Sequence, residues 1–180
     1  MAIPLWNKLR DAGCTSPGRI LQQTGLQPAF GESVNLSKLL QALGVRTFTL
    51  PTTQGFYSTA LGSTTRFDTV RAQIGVWGSG ITIERRRFTV AHSLGHIMLH
   101  PLNKTYCEGE SPPEGEDPLF HAEANNFAAK LLMPGISVSS YIDLFAAHDF
   151  LGMYTTIARE MLVAEHTVKI RVHRYLKGDF

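Results

Sequence analysis

The chain has 180 residues, of which 43% are hydrophobic and 18% charged, with a formal net charge of +2. That is enough apolar material for one packed core, so residues 1–180 are expected to form a single soluble domain. So mild a charge argues for neither a nucleic-acid nor a membrane partner. The two cysteines, Cys14 and Cys107, fit no C-x-x-C pattern and read as reduced, structural thiols. The opening M-A-I-P-L-W-N-K-L-R has no apolar signal core, and no segment approaches the ~18 apolar residues of a membrane span, which points to the cytoplasm.

Leu36, Leu39, Leu40 and Leu43 keep helical spacing, with Ser37 near the start and Gly44 as the stop. Short strands are predicted at Val45–Leu50 and Ala72–Trp77, with a third at Ile81–Ile83 across the Gly78-Ser79-Gly80 turn. From Phe88 to Leu99 apolar residues cover most of the helical circumference, which predicts a helix buried on several sides and stopped by Pro101. The polar stretch Cys107–Asp117 reads as a surface loop. A second buried helix is predicted from about Leu119 to Leu132, with Ala124, Phe127, Ala128 and Leu131 as its stripe before Met133-Pro134. Two or three closing helices follow from Val138 to about Lys177. The expected class is α+β: a small mixed or antiparallel sheet packed on a helical core, with the core at about residues 35–135 and the closing helices at about 138–180.

His92 and His96 are four residues apart, so on a helix they differ by about 40° in azimuth and about 6 Å in rise. Both imidazoles can then reach one ion. A tetrahedral site needs a third protein ligand. Glu116 lies in a Pro/Gly-rich loop, whereas Glu123 stands one turn before Phe127 and is expected to face the buried side of the second helix. A carboxylate there is costly unless it meets a cation, so Glu123 is the better candidate.

R-R-R-F-T-V-A-H-S-L-G-H-I-M-L-H-P at Arg85–Pro101, followed by E-A-N-N-F-A-A-K-L-L-M-P at Glu123–Pro134, resembles the ImmA/IrrE family of zinc metallopeptidases. The family pattern is R-R-F-T-x-A-H-E-x-G-H, then E-A-N-x-F-A-x-x-L-L-M-P. The resemblance implies a compact zincin-like fold in which His92, His96 and Glu123 bind Zn2+. It also implies an intracellular role in which a helix-turn-helix repressor is cleaved or inactivated, in prophage, mobile-element or stress regulation. Ala72–Trp77 resembles the edge strand on which zincins lay an extended substrate, or is an ordinary strand.

Position 93 departs from the family. In H-E-x-x-H sites the glutamate takes a proton from zinc-bound water and passes it to the leaving amine. Ser93 cannot accept that proton near neutral pH, yet it need not disturb metal binding. A nucleophilic Ser93 would need its own base and oxyanion donors, while the nearby histidines are committed to metal. Glu108, Glu110 and Glu114 are conceivable substitute bases, or simply solvated loop acids. The sequence therefore predicts a zinc-binding metallopeptidase fold with hydrolysis impaired or lost. The alternative is a pseudoprotease that sequesters a protein partner without cutting it.

Other residues carry lesser signals. His100 continues the i+4 series but drifts from a shared ion, and reads as a hydrogen-bonding residue at the helix end. His121, two residues before Glu123, would face away from it as a surface or supporting group. Asn125 or Asn126 could orient the ligands. Arg85, Arg86 and Arg87 are expected to precede the metal helix as solvated or ion-paired charges. Thr155–Lys177 has two apolar-periodic halves and a basic finish at Lys169, Arg171, Arg174 and Lys177, which would suit a DNA-binding regulator, although its turn lacks glycine.

Overall fold

The computed structural model describes residues 3–49, 62–68, 71–77, 82–102, 105–108, 118–146 and 152–180. Three helices come first: α1 (Leu5–Asp11), α2 (Pro17–Thr24) and α3 (Leu36–Leu43). Strands β1 (Val45–Thr49), β2 (Gly62–Phe67) and β3 (Ala72–Trp77) precede the long helix α4 (Ile83–Leu99). Strand β4 (Thr105–Glu108) then leads to α5 (Pro118–Leu132), α6 (Gly135–Ala146), α7 (Met153–Met161) and α8 (Glu165–Leu176). The fold is α+β, as the alternation of apolar patterns predicts.

Local chemistry sets the entry to the sheet. The side chain of Asn35, not Ser37, caps α3 by accepting the backbone N–H of Lys38 at 3.0 Å. Gly44 ends the helix at φ 78°, a left-handed conformation that glycine adopts without strain. Leu36, Leu39, Leu40 and Leu43 are all buried, and β1 leaves directly from the glycine.

The sheet has the order β1-β3-β2-β4. Strands β1 and β3 run parallel from Val45 opposite Ala72, while β2 is antiparallel to both of its neighbours and sets Thr65 opposite Ile74 and Tyr106. The strand Ala72–Trp77 is therefore interior, flanked by β1 and β2, and cannot accept an added strand as expected; among the described residues the edges are β1 and β4. Val45, Thr65, Phe67, Ile74, Val76 and Tyr106 bury one face of the sheet, and α4 lies against it.

Helix α4 begins five residues earlier than its apolar run. The Thr82 hydroxyl accepts the Arg85 N–H at 3.3 Å, and Glu84 occupies the first turn, where a carboxylate suits the helix dipole. Ile83 thus opens a helix rather than ending a strand; Ile81 lies outside the described residues. Arg85, Arg86 and Arg87 belong to the helix instead of preceding it, and Arg87 is half-buried, donating from Nη2 to the Val34 carbonyl at 2.9 Å. Cys107 and Glu108 form the end of β4, while the rest of the acidic segment, 109–117, is outside the described residues.

Among described elements, α4 makes its most extensive contact with α5. Gly95 explains the closeness, because a Cβ at this position would stand 3.0 Å from the Ala124 Cα and 3.2 Å from its carbonyl oxygen. The closing helices α6–α8 pack together behind α5. The basic residues of α8 are occupied there: Arg171 is buried and donates to the Met133 and Asp179 carbonyls, Lys169 pairs with Glu165 at 2.8 Å, and Arg174 donates to Asn126 Oδ1 at 3.1 Å.

Candidate metal centre

Two adjoining helices build the site. On α4, His92 and His96 face α5 one turn apart and are only 1% and 2% exposed, with Ser93 wholly buried between them. On α5, His121 shares a face with Ala124, Asn125 and Ala128 at the i, i+3, i+4, i+7 spacing that packs against Gly95. The ring nitrogens of His92, His96 and His121 converge: His92 Nε2 is 2.9 Å from His96 Nε2 and 3.3 Å from His121 Nδ1, and one ligand atom from each lies within 4.8 Å of the others. This group could hold a metal ion.

The placement of protons sharpens that reading. The Glu123 carboxylate accepts from His100 Nε2 at 3.0 Å, so His100, neutral in its buried setting, offers its Nδ1 as an acceptor. His96 Nδ1 lies 2.8 Å from that atom and must be the donor, which leaves Nε2 of His96 without a proton. Burial, reinforced by His92, His100 and His121, lowers the His96 pKa to about 2, so the ring stays neutral. His92 donates its Nδ1 proton to Asn125 Oδ1 at 2.8 Å, which in the neutral ring again bares Nε2. In these tautomers the Nε2 lone pairs of His92 and His96 face each other at 2.9 Å. A cation relieves that repulsion, and three imidazole nitrogens suit zinc, copper, nickel or iron. The residues present fit a metal.

Aromatic rings wall the group. Tyr106 of β4 stacks on His96 with centroids 4.5 Å apart and donates its hydroxyl to the Pro101 carbonyl. Phe120 stacks on His100 at 4.5 Å. The edge strand β4 therefore lies directly beside the metal helix.

The candidate residues are distributed differently from the expectation. His92 and His96 come together as the spacing requires. Glu123 does not face the buried side of α5: its side chain is 48% exposed and turned to His100, because position 123 sits at the margin of the stripe rather than within it. His121, expected to be peripheral, is the α5 residue in the convergent group. The missed signal is its register with Ala124 and Ala128, the small residues that let α5 approach α4. His100 does hydrogen-bond at the helix end, and of the two asparagines it is Asn125 that holds a histidine. Of the suggested substitute bases, Glu110 and Glu114 lie outside the described residues, as does Glu116, and Glu108 is placed only by its backbone pairing with Ser63.

A buried H-x-x-x-H helix that meets a third nitrogen from the following helix, beside a small mixed sheet, defines a zincin-like metallopeptidase domain. Comparison with known proteins narrows this class. Residues 40–173 match the Peptidase_M78 family, described as the IrrE N-terminal-like domain, and the chain belongs to that family. It is also 31% identical over 86 residues to a Bacillus phage phi105 protein named "Uncharacterized immunity region protein 2". That alignment covers 48% of this chain and 54% of the phage protein, so the chain spans about half the length of the curated relative it matches.

Proposed function

We propose that this chain is a cytoplasmic zinc-binding protein that acts on a helix-turn-helix repressor, with peptide hydrolysis impaired or lost because Ser93 stands where the family carries its general base. The observation that supports it most is the convergence of His92 Nε2, His96 Nε2 and His121 Nδ1 between two packed helices. His92, His96 and His121 would hold the ion. Membership of a metallopeptidase family and the immunity-region name of the phage relative support a repressor as partner.

A bound zinc supplies Lewis acidity, polarising a carbonyl and lowering the pKa of water. The chain's own residues supply the rest. Asn125 and His100 orient the ligand rings, and the Tyr106 and Phe120 rings keep solvent from one side of them. Strand β4, an edge of the sheet among the described residues, is where an extended substrate segment could pair. Ser93 lies in the position from which a carboxylate would take and return the proton, and its hydroxyl cannot. Loss of a positioned general base typically lowers the rate by about 10²–10⁴-fold.

The same substitution favours a second reading, a pseudoprotease that captures its partner without cutting it. Nucleic acid is not the proposed partner, since Lys169, Arg171 and Arg174 are engaged within the fold, and no helix among the described residues is long and apolar enough to cross a membrane. The discriminating experiment is Ser93→Glu. Cleavage of a repressor encoded beside this protein only by the variant is the expected result, and tight binding without cleavage by either form supports the pseudoprotease. Efficient cleavage by the native chain would overturn the assignment of Ser93.

A further inference from the structure

The carboxylate that sequence spacing assigns to the metal is attached instead to a histidine that no ligand role accounts for. From Glu123 Oε2 a continuous line of hydrogen bonds runs to His100 Nε2 at 3.0 Å, then from His100 Nδ1 to His96 Nδ1 at 2.8 Å, and ends at the face of His96 that meets the other histidines. Glu123 lies on α5, His96 on α4, and His100 is the residue that caps the end of α4. Polarity is fixed from one end only, since Glu123 is an acceptor. With both rings neutral, the line finishes with a bare Nε2 on His96. His92, by contrast, is held by the neutral Asn125 amide.

We propose that His100 and Glu123 are positioning residues for the metal centre: they lock the His96 tautomer and ring plane, and bring the Glu123 charge to bear on the metal through two imidazoles rather than by direct ligation. This rests on the proposed metal site and deepens it. A metal-bound histidine commonly donates its other N–H to a carboxylate or carbonyl, which fixes the ring and raises its donor strength. Here an extra imidazole is inserted between ligand and carboxylate. The insertion lets Glu123 stay 48% exposed, where its charge costs little, while the ligand it governs is buried. An ion held by His92, His96 and His121 would have three neutral nitrogen ligands and no carboxylate among them. Such a centre draws more strongly on an anionic fourth ligand than one carrying a carboxylate.

His100 also packs, with its ring 4.5 Å from that of Phe120 and 5.6 Å from that of Tyr106, so a purely structural role must be separated from a positioning one. His100→Phe keeps a flat ring in this cluster and removes both nitrogens, while Glu123→Gln keeps an acceptor and removes the charge. Zinc affinity is measured by competition with a chromophoric chelator for the native chain and both variants, with the folded state checked by thermal melting. The native chain and variants are also loaded with Co2+ for absorption spectra, and ring 15N shifts are recorded for the zinc-loaded native protein. Both variants are expected to bind one ion about 10–100-fold more weakly. The expected Co2+ spectra remain four-coordinate, and the His96 ring should be protonated at Nδ1.

Unchanged affinity in His100→Phe would reduce His100 to packing and overturn the proposal. Loss of all stoichiometric zinc binding in Glu123→Gln, or a Co2+-loaded Glu123→Gln whose spectrum shows a coordination different from that of the native chain, would make Glu123 a direct ligand and overturn it too. A native chain that binds no metal would overturn the metal site itself, a distinct result.

Discussion

Gly95→Ala adds one methyl group at the point where α4 and α5 touch, and the geometry fixes the sign of its effect. The new Cβ would stand 3.0 Å from the Ala124 Cα, 3.2 Å from its oxygen and 3.3 Å from its Cβ, so backbone must move rather than a flexible side chain. Overpacking of this kind typically costs about 1–3 kcal/mol. Helix propensity opposes it, since alanine is better than glycine in a helix interior by about 0.8–1.0 kcal/mol. The net expectation is a destabilisation of about 1 kcal/mol, or about 2–4 °C in Tm for a chain of this size. Because His121 and Asn125 ride on α5, zinc affinity should fall with it by about tenfold or more. Thermal melting of the apo protein and a zinc titration measure the two effects. A rise of about 2–4 °C with unchanged affinity would mean that propensity alone acts and that the helices do not meet at Gly95.

Other substitutions test separate parts of the fold. Gly44→Ala forces a side chain to φ 78° and places its Cβ 3.1 Å from the Pro4 Cβ, so denaturant unfolding should show a loss of at least about 1 kcal/mol; an unchanged midpoint would refute the left-handed cap. Asn35→Ala removes the α3 cap and should cost about 0.5–2 kcal/mol in the same assay, whereas Ser37→Ala should be nearly neutral. The Asp179 pKa is lowered chiefly by its hydrogen bond from Lys130, so its contribution is present at neutral pH and is lost as pH falls through the depressed folded-state pKa. The pair is partly exposed, so Asp179→Asn should cost no more than about 1 kcal/mol at pH 7, and the gap should close as the pH drops below about 4. A gap that persists in acid would assign the effect to something other than charge.

Patterns confined to one element were legible in the sequence. The leucine stripe and glycine of α3, the strand at Ala72–Trp77 and the Ala124–Leu131 stripe of α5 each carry their period locally. Helix α1 is only seven residues long, with Trp6 and Leu9 as its apolar anchors, too few to establish a period. Helix α2 was not predicted, although Ser16-Pro17 at its start and Gly25, at φ 66°, after its end frame it. The start of α4 was obscured because Ile81-Thr82-Ile83 alternates like a strand, and the cap formed by Thr82 outweighs that alternation. Partner choice between strands was not legible either, since β3 is placed inside the sheet by residues distant in sequence. The site follows the same division. His92 and His96 are fixed by spacing on one helix, but which of His121 and Glu123 joins them depends on how α5 rotates against Gly95.

The most direct measurement is the zinc content of the purified native chain at neutral pH, beside His121→Ala and Glu123→Ala at saturating zinc. The expected result is about one zinc per native chain, retained by Glu123→Ala and lost from His121→Ala. A metal-free native chain, or zinc retained by His121→Ala and lost from Glu123→Ala, would contradict it.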